Sequence, residues 1–387
     1  MINLSAPVKK PTLLCVANWD SNVGYAWWLM ESFWIKIHAE FSANYEVMIA
    51  YPSISILPKK IHDANISTVA FNFDVKRPRD LAAHLQFIKK HNVNAIYFSD
   101  RPVIHWSYLF FRILGVNKII NHDHTPGIRT RPTGICKLLK SIRTRIPLLN
   151  IDCAIGATEY VKNRLIRVNC IPEKKCHAVP NGLPPLEKID LTPIDVRQQL
   201  NLPAETLLII STGRANLYKG VDFALEVFAL LVHKNRIKNI HFIYCGDGPD
   251  LDLLQKMAKK LAITEQVTFL GRVNNVPQIL LGCDIAFHPS RGEVGYSLAI
   301  LEYMRAGLPV LVSDNPSVSE ATRHGQDGLI YNEGEKADAC EKMIQLLTNS
   351  GLRKSLGTQG KRAMTEEYSL ESTHNALIAV LRQTLLE

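Results

Sequence analysis

No apolar run in this 387-residue sequence approaches the ~18 residues that a transmembrane helix needs. The eight cysteines contain no CxxC pair. Cys170 and Cys176 lie closest together, and no second pair matches them to make a metal site, so a reduced, cytoplasmic setting is expected. A signal peptide is not expected either: Lys9 and Lys10 precede only the short apolar stretch Leu13 to Ala17, with no small-residue cleavage pattern after it. Repeats of solenoid length and low-complexity tracts are missing. Acid is scarce in one place: Arg112 to Arg145 holds eight basic residues and a single acid, Asp123.

What is present suits a soluble globular chain, with 47% hydrophobic and 21% charged residues. At roughly 100–200 residues per domain the length suggests two domains. The net charge of +9 is uneven. Residues 1–180 carry 24 Lys and Arg against 12 Asp and Glu, a balance of +12, while residues 181–387 carry 21 against 24, a balance of −3. The basic half reads either as a solvated surface or as a patch for an anionic membrane or a phosphorylated acceptor. Nucleic acid is not expected, because no aromatic-plus-basic recognition motif accompanies the charge.

Short apolar runs alternate with helical patterns throughout. Leu13–Ala17, Asn94–Phe98 and Lys118–Asn121 read as strands, and a helix is expected from Tyr25. The pattern restarts with Leu207–Thr212, Ile240–Cys245, Val267–Leu270, Ile285–His288 and Pro309–Val312 as strands. Val221–Val232 reads as a helix with Phe223, Val227, Leu230 and Leu231 on one face. Alternating β and α over this length predicts an α/β protein of two Rossmann-like parallel sheets facing across a cleft, with ligands outside the carboxyl ends of the strands. Pro180, Asn181-Gly182, Pro184, Pro185 and Pro193 break both periodicities and mark the linker. The expected division is into residues 1–183 and 184–367, with a final helix in 368–387.

Two segments carry the chemistry. In Ser290–Glu302 a strand ends, Gly292 and Gly295 permit a tight turn, and a helix begins near Ser297, a good N-cap residue. Helix-start amides pointing into such a loop suit a diphosphate. Glu293 and Glu302 flank it, and acids beside a phosphate site need hydroxyl donors such as those of sugar and ribose. In Thr212–Gly220, Arg214 and Lys219 set two cations at a strand end, where a leaving diphosphate develops charge. The first half has a strand-to-helix loop, Trp19–Tyr25, with Gly24, and another loop, Asn121–Gly127, with His122 and His124. A His-x-His could bind metal, but no third ligand accompanies it. His38, His84 and His233 read as surface or helix-end residues.

The run Glu302-Tyr-Met-Arg-Ala-Gly307-Leu-Pro309-Val310 resembles the retaining glycosyltransferases of family 4, which have the two-domain GT-B fold. The resemblance is close from about Asn181 to Asn332 and looser before that. It implies that Glu302 holds the donor ribose and that the backbone of Gly295, Tyr296, Ser297 and Leu298 meets the diphosphate. Gly213-Arg214-x4-Lys219-Gly220 is similar to the family's phosphate-binding pair. Gly246-Asp-Gly248-Pro249 resembles a turn near the nucleotide, and the stretch holding Arg272 resembles one along the base. Gly24 resembles the glycine of the first βα loop, and either His122 or His124 stands where the family has a histidine near the sugar. One departure stands out: Val294 occupies the position of the family's first Glu, and Glu293 lies one residue early. Either a one-residue bulge brings Glu293 to the sugar, as the reading favours, or that contact is missing.

The resemblance implies a retaining transfer of a hexose-type sugar from a nucleoside diphosphate to a glycan or lipid-linked saccharide, in cell-surface polysaccharide synthesis. No metal or cofactor is expected. Location would be cytoplasmic, with peripheral contact to the membrane face. The alternatives are a non-catalytic scaffold subunit on the same fold and a nucleotide-sugar epimerase.

Overall fold

The computed structural model describes residues 10–23, 27–187 and 192–386. The chain forms two compact units. The first comprises Met1–Thr125, Arg129–Pro180 and Thr373–Glu387; the second comprises Pro126–Ile128 and Asn181–Ser372.

The first unit is built on seven strands: β1 (Thr12–Val16), β2 (Glu46–Tyr51), β3 (Ser67–Ala70), β4 (Val93–Ser99), β5 (Lys118–Asp123), β6 (Cys153–Gly156) and β7 (Cys176–Ala178). Their order is β3-β2-β1-β4-β5-β6-β7, with every pairing parallel. Parallel sheets are covered on both faces, so their strands are continuous apolar runs. β1, Thr-Leu-Leu-Cys-Val, is buried along its whole length, with Leu13 opposite Val47 on one side and Ala95 on the other. The Trp27–Phe41 helix buries Leu29, Met30, Phe33, Trp34, Ile37 and Phe41, the three-and-four spacing of one helical face. The expected start at Tyr25 lies outside the described residues.

The second unit has six strands: β8 (Leu207–Thr212), β9 (Ile240–Cys245), β10 (Val267–Gly271), β11 (Ile285–His288), β12 (Val310–Ser313) and β13 (Gly328–Tyr331). They run parallel in the order β10-β9-β8-β11-β12-β13. Its core joins Ile209, Leu225, Phe228, Phe242 and Phe287 between sheet and helices. In both units the chain winds outward from a central strand in one direction, then jumps back and winds in the other. The reversal falls between β1 and β4 in the first unit and between β8 and β11 in the second. A crevice opens at such a reversal, outside the carboxyl ends of the two strands.

Three details differ from the sequence reading. The helix at Val221 is α-helical only to Ala229 and continues as a π-turn over Leu230–Lys234. Its buried face is Val221, Ala224, Leu225, Val227, Phe228 and Leu231, with Phe223 and Leu230 only half-buried; Phe223 instead stacks on Tyr331. His84 is buried rather than superficial: its Nδ1 meets the Asp80 carbonyl at 2.7 Å, and Phe71, Phe73 and Phe111 pack around the ring. Finally, the units divide at Pro180/Asn181 and Ser372/Thr373 rather than 183/184 and 367/368. The reason is local: the Leu183 amide donates to the Tyr368 carbonyl (3.0 Å) and the Leu370 amide to the Leu183 carbonyl (2.8 Å), tying both crossing segments to the second unit. Beyond Thr373 the Leu370–Leu386 helix belongs to the first unit, where Arg382 pairs with Glu40 and His374 meets Ser32 at 3.0 Å.

Candidate functional site

β8 delivers Thr212 to the reversal point of the second unit, and the loop after it holds Gly213, Arg214 and Lys219. The loop is stitched to the turn after β9: the Ala215 amide donates to the Asp247 carbonyl (2.9 Å) and the Leu217 amide to Asp250 Oδ2 (2.8 Å). Gly246 makes the stitch possible, because a Cβ there would lie 1.7 Å from the Gly213 carbonyl oxygen. Gly220, at φ 69°, lets the loop close against β11, since a Cβ on it would meet the Pro289 oxygen at 1.9 Å. The structure thus confines Lys219 to a position facing the end of β11.

Glu293 meets it there. Lys219 Nζ donates to Glu293 Oε1 at 2.6 Å, and His288 Nε2, at the end of β11, lies 3.2 Å from the same oxygen. Burial alone would raise the Glu293 pKa, but the Lys219 and His288 charges and hydrogen bonds outweigh it and hold the carboxyl at about 2. The Glu293 amide donates to Ser317 Oγ (3.2 Å) and its carbonyl accepts from the Gly127 amide (2.9 Å). Oε2 accepts no hydrogen bond among the described residues, and Lys219 uses one of its three donors on Glu293. The cluster therefore keeps an acceptor and two ammonium donors for a ligand.

The loop then turns into the Leu298–Ala306 helix, where Ser297 Oγ accepts from the Ala299 amide (3.3 Å) as the N-cap. The four site positions here play different parts. The Gly295 amide is committed to the Ser317 carbonyl (2.8 Å), so it is not a phosphate donor. The Tyr296 side chain points into the core, is 1% exposed, and donates to the Asn181 carbonyl (2.8 Å); only its backbone faces the loop. Among the described residues nothing accepts from the Ser297 and Leu298 amides, the open donors of a helix start. Glu302, one turn on, is half-buried; burial raises its pKa, against the lowering effect of Arg305. It accepts no hydrogen bond among the described residues, which leaves its carboxylate ready for hydroxyl donors. Arg214 is exposed and is not drawn into the Lys219–Glu293 pair. Arg272 stands at the end of β10, two strands from β8, and the structure does not bring it to the cluster.

Several supporting residues escaped the sequence reading. His288 fixes Glu293. Asn315 and Ser317, after β12, hold the 291–295 loop: Asn315 Nδ2 donates to the Arg291 carbonyl (3.1 Å) and Ser317 Oγ to Asn315 Oδ1 (2.7 Å). Tyr303 Oη receives the Thr212 amide at 2.6 Å and so positions the end of β8. A polar residue closing an apolar strand was the one signal for His288; the others are joined only by folding.

In the first unit, β4 and β5 end side by side. Asp100, after β4, accepts from the His124 amide at 2.5 Å; burial, the largest influence, raises its pKa to about 7. Asp123 pairs with Arg164 (3.1 Å) and accepts from the Thr125 amide (2.8 Å), which fixes the loop. His122 and His124 lie with ring centroids 4.1 Å apart but differ in access. His122 is 0% exposed, stacked on Phe33 and bonded through Nδ1 to Tyr97 Oη at 2.5 Å; burial holds its pKa well below the usual value. It is a core residue without exposed surface. His124, past the strand end, keeps exposed surface. Gly24 lies outside the described residues. Among the described residues no group of three His, Cys, Asp or Glu could hold a metal ion, and no helix is long and apolar enough to cross a membrane.

Residues 194–363 match the family described as glycosyl transferases group 1. The N-acetyl-alpha-D-glucosaminyl L-malate synthase of Bacillus anthracis is 27% identical over 184 residues, 48% of this chain and 47% of that protein. The chain thus spans about half the length of that curated relative. Two solved structures share the fold. A glycosyltransferase from Rickettsia africae superimposes with a TM-score of 0.76 at 16% identity, over 97% of this chain and 99% of that one. Anabaena Alr3699/HepE, in complex with UDP and glucose, gives 0.71 at 14% identity, over 96% and 100%. Residues 194–363 are thus similar to the group 1 glycosyl transferases, and the chain has the two-sheet GT-B fold of these solved glycosyltransferases.

Proposed function

We propose that the protein transfers a hexose-type sugar from a nucleoside-diphosphate donor to a glycan or lipid-linked saccharide, with retention of anomeric configuration, in cell-surface polysaccharide synthesis. One observation carries this reading: the Lys219–Glu293–His288 cluster stands at the carboxyl ends of β8 and β11, on the loop that leads into the helix start at Ser297. In this scheme the two remaining Lys219 donors, Arg214 and the Ser297 and Leu298 amides take the diphosphate, whose negative charge grows as the bond to the sugar breaks. Glu293 Oε2 takes a sugar hydroxyl and Glu302 the ribose hydroxyls. A diphosphate oxygen receives the acceptor's proton, so no protein nucleophile is required. Arg214 and Lys219 supply the positive charge, so turnover should survive chelation by EDTA.

The test is a thermal-shift panel of nucleotide sugars followed by product analysis. A donor at about 100 times its dissociation constant adds roughly 2.7 kcal/mol of stability. Transfer to an acceptor, with the anomeric configuration read by NMR, supports the proposal. Donor binding without transfer or hydrolysis would point to a scaffold, and sugar interconversion without any acceptor would point to an epimerase.

A further inference from the structure

Surface helices of globular proteins turn their apolar stripe to the core. The Gly134–Arg143 helix does the reverse. Ile135, Leu138, Leu139 and Ile142 fall on one face, and they are 72%, 59%, 55% and 54% exposed. No residue of the helix is buried; the only partly covered ones, Lys140 and Ser141, lie on the polar side. The fold imposes this orientation at the helix's C-terminal end. Thr144 Oγ1 donates to the Cys170 carbonyl (2.6 Å), and Asn150 Nδ2 donates to the Arg143 and Ile146 carbonyls (3.0 and 2.8 Å). Leu148, in the turn that follows, and Ile113, on a helix packed against that turn, extend the exposed apolar surface.

The charge along this stretch of chain is of one sign. From His124 to Ile151 there are six Lys and Arg and no acid. Beside the helix lies a cavity of about 380 Å³, bordered by Arg131, Lys137, Arg145 and Arg167 with one carboxylate, Glu173. An outward apolar face rimmed by cations, over a cationic recess with room for a phosphate group, matches the anionic face of a lipid bilayer. A second copy is a poor occupant, because a two-fold contact would set the same cations against each other. A protein partner fits less well too, since the centres of such interfaces are depleted of Lys.

We infer that the Gly134–Arg143 helix seats in the interface of an anionic membrane, with Ile135, Leu138, Leu139 and Ile142 among the acyl chains and the flanking Lys and Arg on headgroup phosphates. Vesicle binding needs neither donor nor turnover, so its failure would leave the proposed transfer reaction standing.

Cys136 provides the probe. It is the exposed cysteine of the helix, and the other seven are buried or half-buried. The protein carrying an environment-sensitive thiol dye at Cys136 is titrated with phosphatidylglycerol–phosphatidylcholine vesicles and with pure phosphatidylcholine vesicles. A blue shift is expected with the first alone, weakening as salt rises. Lys137→Gln with Lys140→Gln should weaken binding about 25-fold, at about fivefold per cation. Leu138→Asp with Leu139→Asp should abolish it while far-UV circular dichroism and melting stay unchanged, because both side chains are already in solvent. No blue shift with anionic vesicles, or variants that bind as tightly as the parent, overturns the inference. So does a concentration-dependent dimer that fails to bind vesicles and is dispersed by the Asp pair; that result would assign the face to a second copy.

Discussion

Lys219→Ala tests the centre of the site. The substitution removes an ammonium 2.6 Å from Glu293 Oε1 and, in the proposed reaction, the cation next to the departing diphosphate. Two losses follow, and the structure separates them. The catalytic loss should resemble removal of one preorganised oxyanion donor, about 100- to 1,000-fold in kcat, with a smaller change in donor KM. The stability loss comes from Glu293. Its carboxyl is held at about 2 rather than the usual 4.5, a difference worth on the order of 3 kcal/mol, shared between Lys219 and His288. Because the Lys219 side chain keeps 27% of its surface in water, its share is roughly 1–2 kcal/mol. Adding Glu293→Gln removes the stranded charge, so the double variant should recover much of the melting temperature and none of the turnover. Steady-state kinetics with saturating donor, beside thermal denaturation, make the comparison. If Lys219→Ala keeps full turnover, the charge-stabilising role is wrong. If the double variant regains turnover along with stability, Lys219 acts only as a counter-ion for Glu293.

Three further outcomes follow. Because the folded Glu293 pKa is depressed, its stabilisation is present above about pH 4.5 and is lost as pH falls through about 2; Glu293→Gln should flatten acid unfolding between pH 5 and 2, by up to about 3 kcal/mol, in pH-dependent melting. Glu302→Ala removes a carboxylate that accepts no hydrogen bond among the described residues, so stability should barely change while calorimetry finds nucleoside-diphosphate affinity lower by about 10- to 100-fold. Ser297→Ala removes the N-cap bond to the Ala299 amide and should cost about 1 kcal/mol in denaturant unfolding.

How far the sequence reveals this arrangement depends on how local each feature is. β8, β9 and β11 are read residue for residue, because each is a mostly apolar run of four to six residues between turn signals. β3, half-exposed at a sheet edge, and β7, Cys-His-Ala, are too short to carry a period, and both escape. Lys219 and Glu302 are legible through the motifs that resemble family 4. The Glu293–His288 contact is not, because it depends on the path by which the loop folds back on the end of β11. The basic run from Arg112 to Arg145 is plain in the sequence, but pattern alone predicts that the apolar stripe of the Gly134–Arg143 helix faces inward. Its outward turn is set by Thr144 and Asn150.

The offset acid leads to the last prediction. Measured along the sequence, Glu293 stands one residue too early to match the family pattern, and deleting Val294 would restore that spacing. The structure argues that the deletion is harmful. Glu293 is not placed by counting back from the Leu298–Ala306 helix; it is placed by clamps on the loop itself. The Glu293 amide bonds Ser317 Oγ, the Gly295 amide bonds the Ser317 carbonyl, the Glu320 amide bonds the Gly295 carbonyl, and the Arg291 amide bonds the Tyr218 carbonyl. Val294 is the residue that spans the two Ser317 contacts. Without it both cannot form, and with only one of them the carboxylate leaves Lys219 and His288. The deletion should therefore lower turnover about as much as Glu293→Ala does, and the stability lost between pH 5 and 2 should largely vanish with the ion pair. A deletion variant that transfers sugar as fast as the parent, or faster, would mean that helix register positions the acid and that the loop clamps are incidental.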